Sequence, residues 1–410
     1  MRNLGRRDFL RSGVATTGAL SLAGCTNFGG GGGDESLELG ILAPLSGPAE
    51  GIGPRFENAA EIAIRVYPEE YGVLADTEIN FAVRNTESNP EAGRAGAEEL
   101  ILDEEVDVLI GTALSNVGTA VTGLAARENV PFVPFSVARS MTQEDCQRTT
   151  FRVHPHTGQT TRIAANYLLD NVGETGYLVY PDYGRGRQIR DDFKAVFEER
   201  GGEFVAIEAV PLDIDEWRPV LDDIESASDN VDFVINESTV APLIRYLLAS
   251  TNFEINAPLF SQSLAPEFIG ALTQDQFAGL DDVIGTIYYA ANIDNERSNQ
   301  FAREYENEHD TPPPQTAGMP YVNTEFALQV YDQADSFSTE DFIATAEEIT
   351  TETVIGTSPV RACDHQGIPP SRIGQYTGID EEHKLGRVDI KQTVDSADFI
   401  DDCEDVPCEF

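Results

Sequence analysis

The chain has 410 residues, and 27 basic against 71 acidic side chains leave it at −44. That length suits two domains, and a hydrophobic fraction of 41% supplies real cores, so global disorder is excluded. Nucleic acid is excluded as a partner, because affinity for it comes from a basic surface that neutralises phosphates. Docking on an anionic membrane surface is excluded for the same reason.

Only three lysines are present, Lys194, Lys384 and Lys391, and the acids run from Asp34 to Glu409 rather than forming a tail. Self-repulsion of this size destabilises a compact fold in ordinary buffer. Molar salt shortens the Debye length to about 3 Å and screens it. The composition resembles that of proteins from extreme halophiles.

The first residues read as an address. Twin arginines Arg6-Arg7 precede Phe9-Leu10, an uncharged stretch follows, and Leu22-Ala23-Gly24-Cys25 closes it. The apolar run is well below the ~20 residues that span a bilayer. The pair resembles a twin-arginine export signal, and the closing motif resembles a lipobox in which Cys25 becomes the acylated first residue. We therefore expect a signal peptide over 1–24 and a lipidated cysteine with a glycine-rich tether over 25–35. The mature body is expected to be exported and anchored to the outer face of the membrane.

Beyond the tether, short β-rich runs alternate with amphipathic stretches, the pattern of parallel βαβ units. Strands are predicted over 37–42, 78–84, 106–110 and 131–134, with helices over 54–67, 90–102 and 117–128 between them. A second series of strands covers 175–180, 203–210, 231–235, 258–260 and 283–289, with helices over 160–171, 187–200, 217–227 and 239–250. The pattern then turns to helices alone, over 295–309, 321–334 and 339–349, and ends in short β-like pieces over 353–360 and 372–377. The expected fold class is α/β, with two doubly wound parallel-sheet lobes joined by a hinge that the chain crosses several times. Residues 36–152 and 291–350 form lobe 1, 153–290 lobe 2, and 351–410 a hinge-crossing segment and C-terminal tail.

Catalytic and metal-binding motifs are weak. Gly184-Arg185-Gly186 follows a strand but lacks the third glycine of a dinucleotide fingerprint. His154-Pro155-His156 has no helical i, i+4 spacing and no nearby cysteine, so it reads as a turn before a helix rather than a metal site. No cofactor is expected. Cys146, Cys363, Cys403 and Cys408 remain after Cys25, and export permits disulfides. Four cysteines allow three connectivities. Cys403 and Cys408 flank Pro407 closely enough to bridge each other, which leaves Cys146 with Cys363.

Several strand ends carry recognisable text: Ile41-Leu42-Ala43-Pro44-Leu45-Ser46-Gly47-Pro48, Leu109-Ile110-Gly111-Thr112-Ala113-Leu114-Ser115-Asn116 and Val130-Pro131-Phe132-Val133-Pro134-Phe135-Ser136. Phe151-Arg152-Val153, Gln159, Tyr180-Pro181-Asp182-Tyr183-Gly184-Arg185-Gly186 and Arg361-Ala362-Cys363-Asp364-His365-Gln366-Gly367 follow in order. Over residues 37–377 this succession resembles the leucine/isoleucine/valine-binding (branched-chain amino acid) family of ABC-importer solute receptors, which has the type I periplasmic-binding fold.

The resemblance implies ligand-binding positions at strand ends, where loops and helix N-termini offer free N–H groups. Ser115 matches the serine that hydrogen-bonds a ligand carboxylate, with Asn116 beside it. Ser136, Val137 and Ala138 match a segment that holds the carboxylate and ammonium. Tyr183 matches an aromatic that closes over the ligand from lobe 2, near the Glu237-Ser238-Thr239 turn. The family's amino-acid binders carry threonine at Ala138 and an ammonium-pairing glutamate at Ser263. Glu237 is a substitute for that acid from a neighbouring loop.

The expected function is capture of an amino acid or a similar small polar compound (amide, urea-type compound or carboxylate) between the lobes, and delivery to ABC permease subunits. The protein is expected to be a monomer and no enzyme. The alternatives are a sensory module of the same fold and an exported hydrolase.

Overall fold

The computed structural model describes residues 36–71 and 73–410. The export motifs, Cys25 and the tether lie outside them. Strand β1 (Leu37–Ala43) is followed by α1 (Pro54–Tyr71), β2 (Ile79–Asn85), α2 (Pro90–Leu102), β3 (Val108–Gly111), α3 (Ser115–Glu128) and β4 (Phe132–Pro134). These strands form one parallel sheet in the order β2-β1-β3-β4, with β1 and β3 buried almost throughout. That is how strands covered on both faces by crossover helices should read. Helix α2 starts where Asn89 accepts from the Glu91 and Ala92 N–H groups and Pro90 supplies a preset φ.

The second series runs α4 (Thr157–Asn171), β5 (Thr175–Pro181), α5 (Gly184–Arg200), β6 (Glu203–Val210), α6 (Arg218–Ala227), β7 (Phe233–Asn236), α7 (Val240–Ser250), β8 (Leu259–Ser261), α8 (Pro266–Ile269), α9 (Gln274–Phe277) and β9 (Val283–Ile287). Helix α4 begins earlier than the predicted 160 because His156 caps it. Its Nδ1 accepts from the Gly158 and Gln159 N–H groups while Gln159 Oε1 accepts from His156 N–H. Burial holds both His154 and His156 well below the usual imidazole range.

The chain then returns to the first sheet as α10 (Glu296–His309), α11 (Gln315–Gln333) and α12 (Thr339–Glu348), with the small hairpin β10 (Thr350–Thr353) and β11 (Gly356–Pro359). Helix α11 is buried from Gln315 to Tyr331 and packs along α1. Burial on every side holds its first turns despite Pro320, a residue that alone argues for the later start predicted at 321.

Two expectations are corrected here. Residues 371–394 are not a hinge segment or a tail. They form β12 (Ser371–Asp380) and β13 (Leu385–Val394), an antiparallel hairpin that widens the second sheet to the order β13-β12-β9-β8-β7-β5-β6. Strand β13 is an edge strand in which exposed polar residues alternate with partly buried apolar ones, so it carries no continuous apolar run to reveal it.

The disulfides also differ: Cys146 pairs with Cys408 and Cys363 with Cys403, at Cα separations of 5.8 and 5.9 Å. Long-range placement overrides the short spacing of Cys403 and Cys408. Asp401 accepts from Gln143 at 2.9 Å and from Arg162 at 2.5 Å, while its carbonyl accepts from Arg361 at 2.6 Å. The tail is thereby drawn across two loops, and each cysteine meets a different one.

Non-reducing peptide mapping should therefore recover the Cys146–Cys408 and Cys363–Cys403 peptides; a Cys403–Cys408 peptide would contradict the fold. Replacing Cys146 and Cys408 together by alanine should lower unfolding stability in urea by about 2–4 kcal/mol.

Candidate functional site

A cavity of about 120 Å³ lies where the carboxyl ends of the two parallel sheets face each other. In open α/β sheets this edge is where loops and helix starts leave free polar groups.

On the first-sheet side the wall is set by the turn after β3. Thr112 is held at φ +63°, its N–H bonding to the Leu42 carbonyl and its hydroxyl to the Gly111 carbonyl. Ser136 Oγ donates to the carbonyls of Thr112 (2.8 Å) and Leu114 (3.1 Å), which pins the turn to the segment after β4. Helix α3 then starts at Ser115 with no side-chain cap from Leu114. The Val117 N–H is met by the Leu114 carbonyl and Asn116 Oδ1, which leaves the Ser115 and Asn116 N–H groups for a ligand or solvent. Ser115 lines the cavity and is 8% exposed.

Period-two alternation sorts the segment after β4. Phe135 and Val137 line the cavity, whereas Ser136 and Ala138 face away from it. Arg152, fully buried, reaches that far side. It donates to the Ser136 carbonyl at 3.3 Å, to the Ala138 carbonyl, to Thr142 Oγ1 and to Gln366 Oε1 at 2.8 Å. Burial pulls its pKa down to about 9, so it stays charged at neutral pH.

The second-sheet side is built from the turns after β5, β7, β8 and β9. Gly186 lets α5 start tight against β5: a Cβ there would lie 1.9 Å from the Pro181 carbonyl oxygen. Tyr183 and Arg185 are presented to the cavity by this turn. Arg185 is 8% exposed, and its Nη2 donates to Ser263 Oγ at 3.1 Å. Nη2 also lies 3.8 Å from Glu237 Oε2, while Nε has no hydrogen-bond partner. Burial opposes its charge, but the nearby Glu237 and the Tyr183 hydroxyl favour it, and its pKa is raised overall.

Glu237 is fully buried, and its Oε1 accepts from the Gln262 N–H at 2.9 Å. Burial pushes its carboxyl up to about 7, against the opposing pull of Arg185 and that N–H.

The structure thus brings Ser115, Val137, Tyr183, Thr239 and Ser263 together on the wall. It leaves out four other expected residues. Asn116 is exposed, with Oδ1 accepting from the Val117 N–H, because the next position on a helix turns about 100° away. Ser136 and Ala138 serve the turn behind the wall. Glu237 is off the wall, with Oε2 3.8 Å from Arg185 and without a hydrogen-bond partner.

Sequence reasoning missed Arg185, Phe268, Tyr288, Gln315 and Thr316 on the wall. Arg185 lies inside a motif read only for its glycines. Gln315 is placed by its Oε1 accepting from the Tyr288 N–H at 3.0 Å, a contact no local pattern encodes.

Comparison with known proteins agrees with this architecture. A family model described as "Periplasmic binding protein" matches residues 36–382. The Leu/Ile/Val-binding protein homolog 6 of Brucella suis is 27% identical over 281 residues, 65% of this chain and 68% of the relative. A solute binding protein from R. palustris, solved in complex with benzoate, superposes with a TM-score of 0.77 at 20% identity, over 92% of this chain and 100% of that one. The branched-chain amino acid substrate binding protein LivJ from Streptococcus pneumoniae, solved with isoleucine, gives 0.75 at 15% identity, over 87% and 99%. The sheet order, the facing sheet edges and the family match over most of the sequence lead to one conclusion: the chain belongs to the periplasmic binding protein family.

Proposed function

We propose that this protein is the extracytoplasmic solute receptor of an ABC importer, which captures a small organic solute between its two lobes and presents it to a membrane permease. The observation that carries this reading is the cavity itself, assembled by residues from the ends of two opposed sheets. Closure about the connecting segments then encloses a ligand that touches both. The relatives and neighbours named above, which are amino acid and aromatic acid receptors, support it.

The solute's carboxylate is placed at the first-sheet side, against the Ser115 hydroxyl and the uncapped start of α3, where partial positive charge favours an anion. Ile52, Leu114, Phe135 and Phe268 offer the remainder of the solute apolar contact. A lipidated Cys25 keeps the body on the outer face of the membrane, and its acid-rich surface suits molar salt.

In molar KCl, a panel of small carboxylates should include one that raises the melting temperature of residues 34–410. A ligand at 100 times its Kd adds about 2.7 kcal/mol. Amides, sugars and polyamines should give no shift, and a shift confined to them would contradict the carboxylate reading. Ser115→Ala should weaken the binding of that carboxylate by about tenfold, read by titration calorimetry. Cys25→Ser should move the protein from the membrane fraction to the medium; unchanged membrane retention would remove the anchor.

A further inference from the structure

No acidic side chain lines the cavity among the described residues, and its one charged lining residue is Arg185. A buried ammonium would therefore meet the Arg185 guanidinium on this wall, with Glu237 off the wall and 3.8 Å from that guanidinium, at a high desolvation cost. Arg185 is anchored through Nη2 on Ser263, its Nε is buried and unpartnered, and its nearest acid stands off at 3.8 Å, beyond hydrogen-bond range. An unmet guanidinium donor in a dry site is costly to leave so and strong when met by an oxyanion.

We propose that the solute carries a second anionic group, which binds Arg185 from the second-sheet side while its first carboxylate binds at Ser115: the ligand is a small dicarboxylate with an apolar spacer. This rests on the solute-receptor reading above and narrows it. The dianion draws the lobes together because each sheet holds one charge.

Glu237 tunes the site. The groups facing it are Arg185 at the start of α5, the Gln262 N–H after β8 and Tyr288 after β9. An anion on Arg185 opposes a charged Glu237, so Glu237 takes up a proton as the ligand binds. With its carboxyl near 7 in the free protein, affinity falls as pH rises through and above 7, by up to about tenfold per pH unit.

The test is calorimetric titration in molar KCl at pH 6.5 with succinate, glutarate, adipate and terephthalate, each beside its monoamide, and with neutral amino acids. A diacid should bind at least about tenfold tighter than its own monoamide, and Arg185→Gln should abolish that difference while sparing the monoamide. Arg185→Lys should keep most of it, which covers the case that Arg185→Gln does not fold. Equal binding of diacid and monoamide, or tighter binding of amino acids, overturns the dicarboxylate proposal and leaves the receptor reading standing. Absence of binding by any small organic solute overturns both.

Discussion

One fully buried cation organises the region between the sheets. Arg152 has no carboxylate among its hydrogen-bond partners; it bonds the carbonyls of Ser136 and Ala138, Thr142 and Gln366. Gln366, from the segment that crosses to β12, in turn donates to the carbonyls of His154 (2.8 Å) and Gly367 (2.6 Å). A buried charge is tolerated only where its donors are met, so these strands of chain must keep their places together. Two crossings are thus fixed to one another, and the cavity wall at Phe135 and Val137 is fixed with them.

The same residue shapes the field in the cleft. The chain as a whole carries −44, yet the charged group on the cavity wall is a guanidinium, Arg185, with Arg152 behind the wall and the buried Glu237 3.8 Å from Arg185. Solvent and salt screen the acidic exterior, whereas interior charges are screened much less. A small anion therefore meets attraction only after it has entered. Arg55 adds a link at the cavity's edge by donating to Thr316 Oγ1 (2.5 Å) and Glu267 (3.3 Å), joining α1 to α8 and α11.

The alternation of apolar runs and amphipathic stretches made both parallel sheets legible, because strands covered on two faces must be apolar throughout. Strand β13 was not legible, since an exposed edge strand has no such requirement. The cysteine pairing was hidden for a related reason: it depends on Asp401 drawing the tail across two loops, one of them 258 residues away in sequence and the other 40. At the site, Ser115 and Tyr183 could be located by the strand-end rule. Which neighbours turn inward depends on helix phase and strand alternation, and there Asn116, Ser136 and Ala138 parted from Val137. Arg185 was written in a motif whose glycines drew attention, but its meaning came from Ser263 and Glu237, which only folding brings beside it.

Hydrogen exchange with and without a saturating carboxylate ligand tests the central claim most directly, that the solute is held between both sheet edges. Amides of 113–118, at the start of α3, and of 183–187 and 262–265 on the opposite side should all slow together when the ligand is present. Protection confined to one side, or centred away from this cavity, would contradict capture between the lobes.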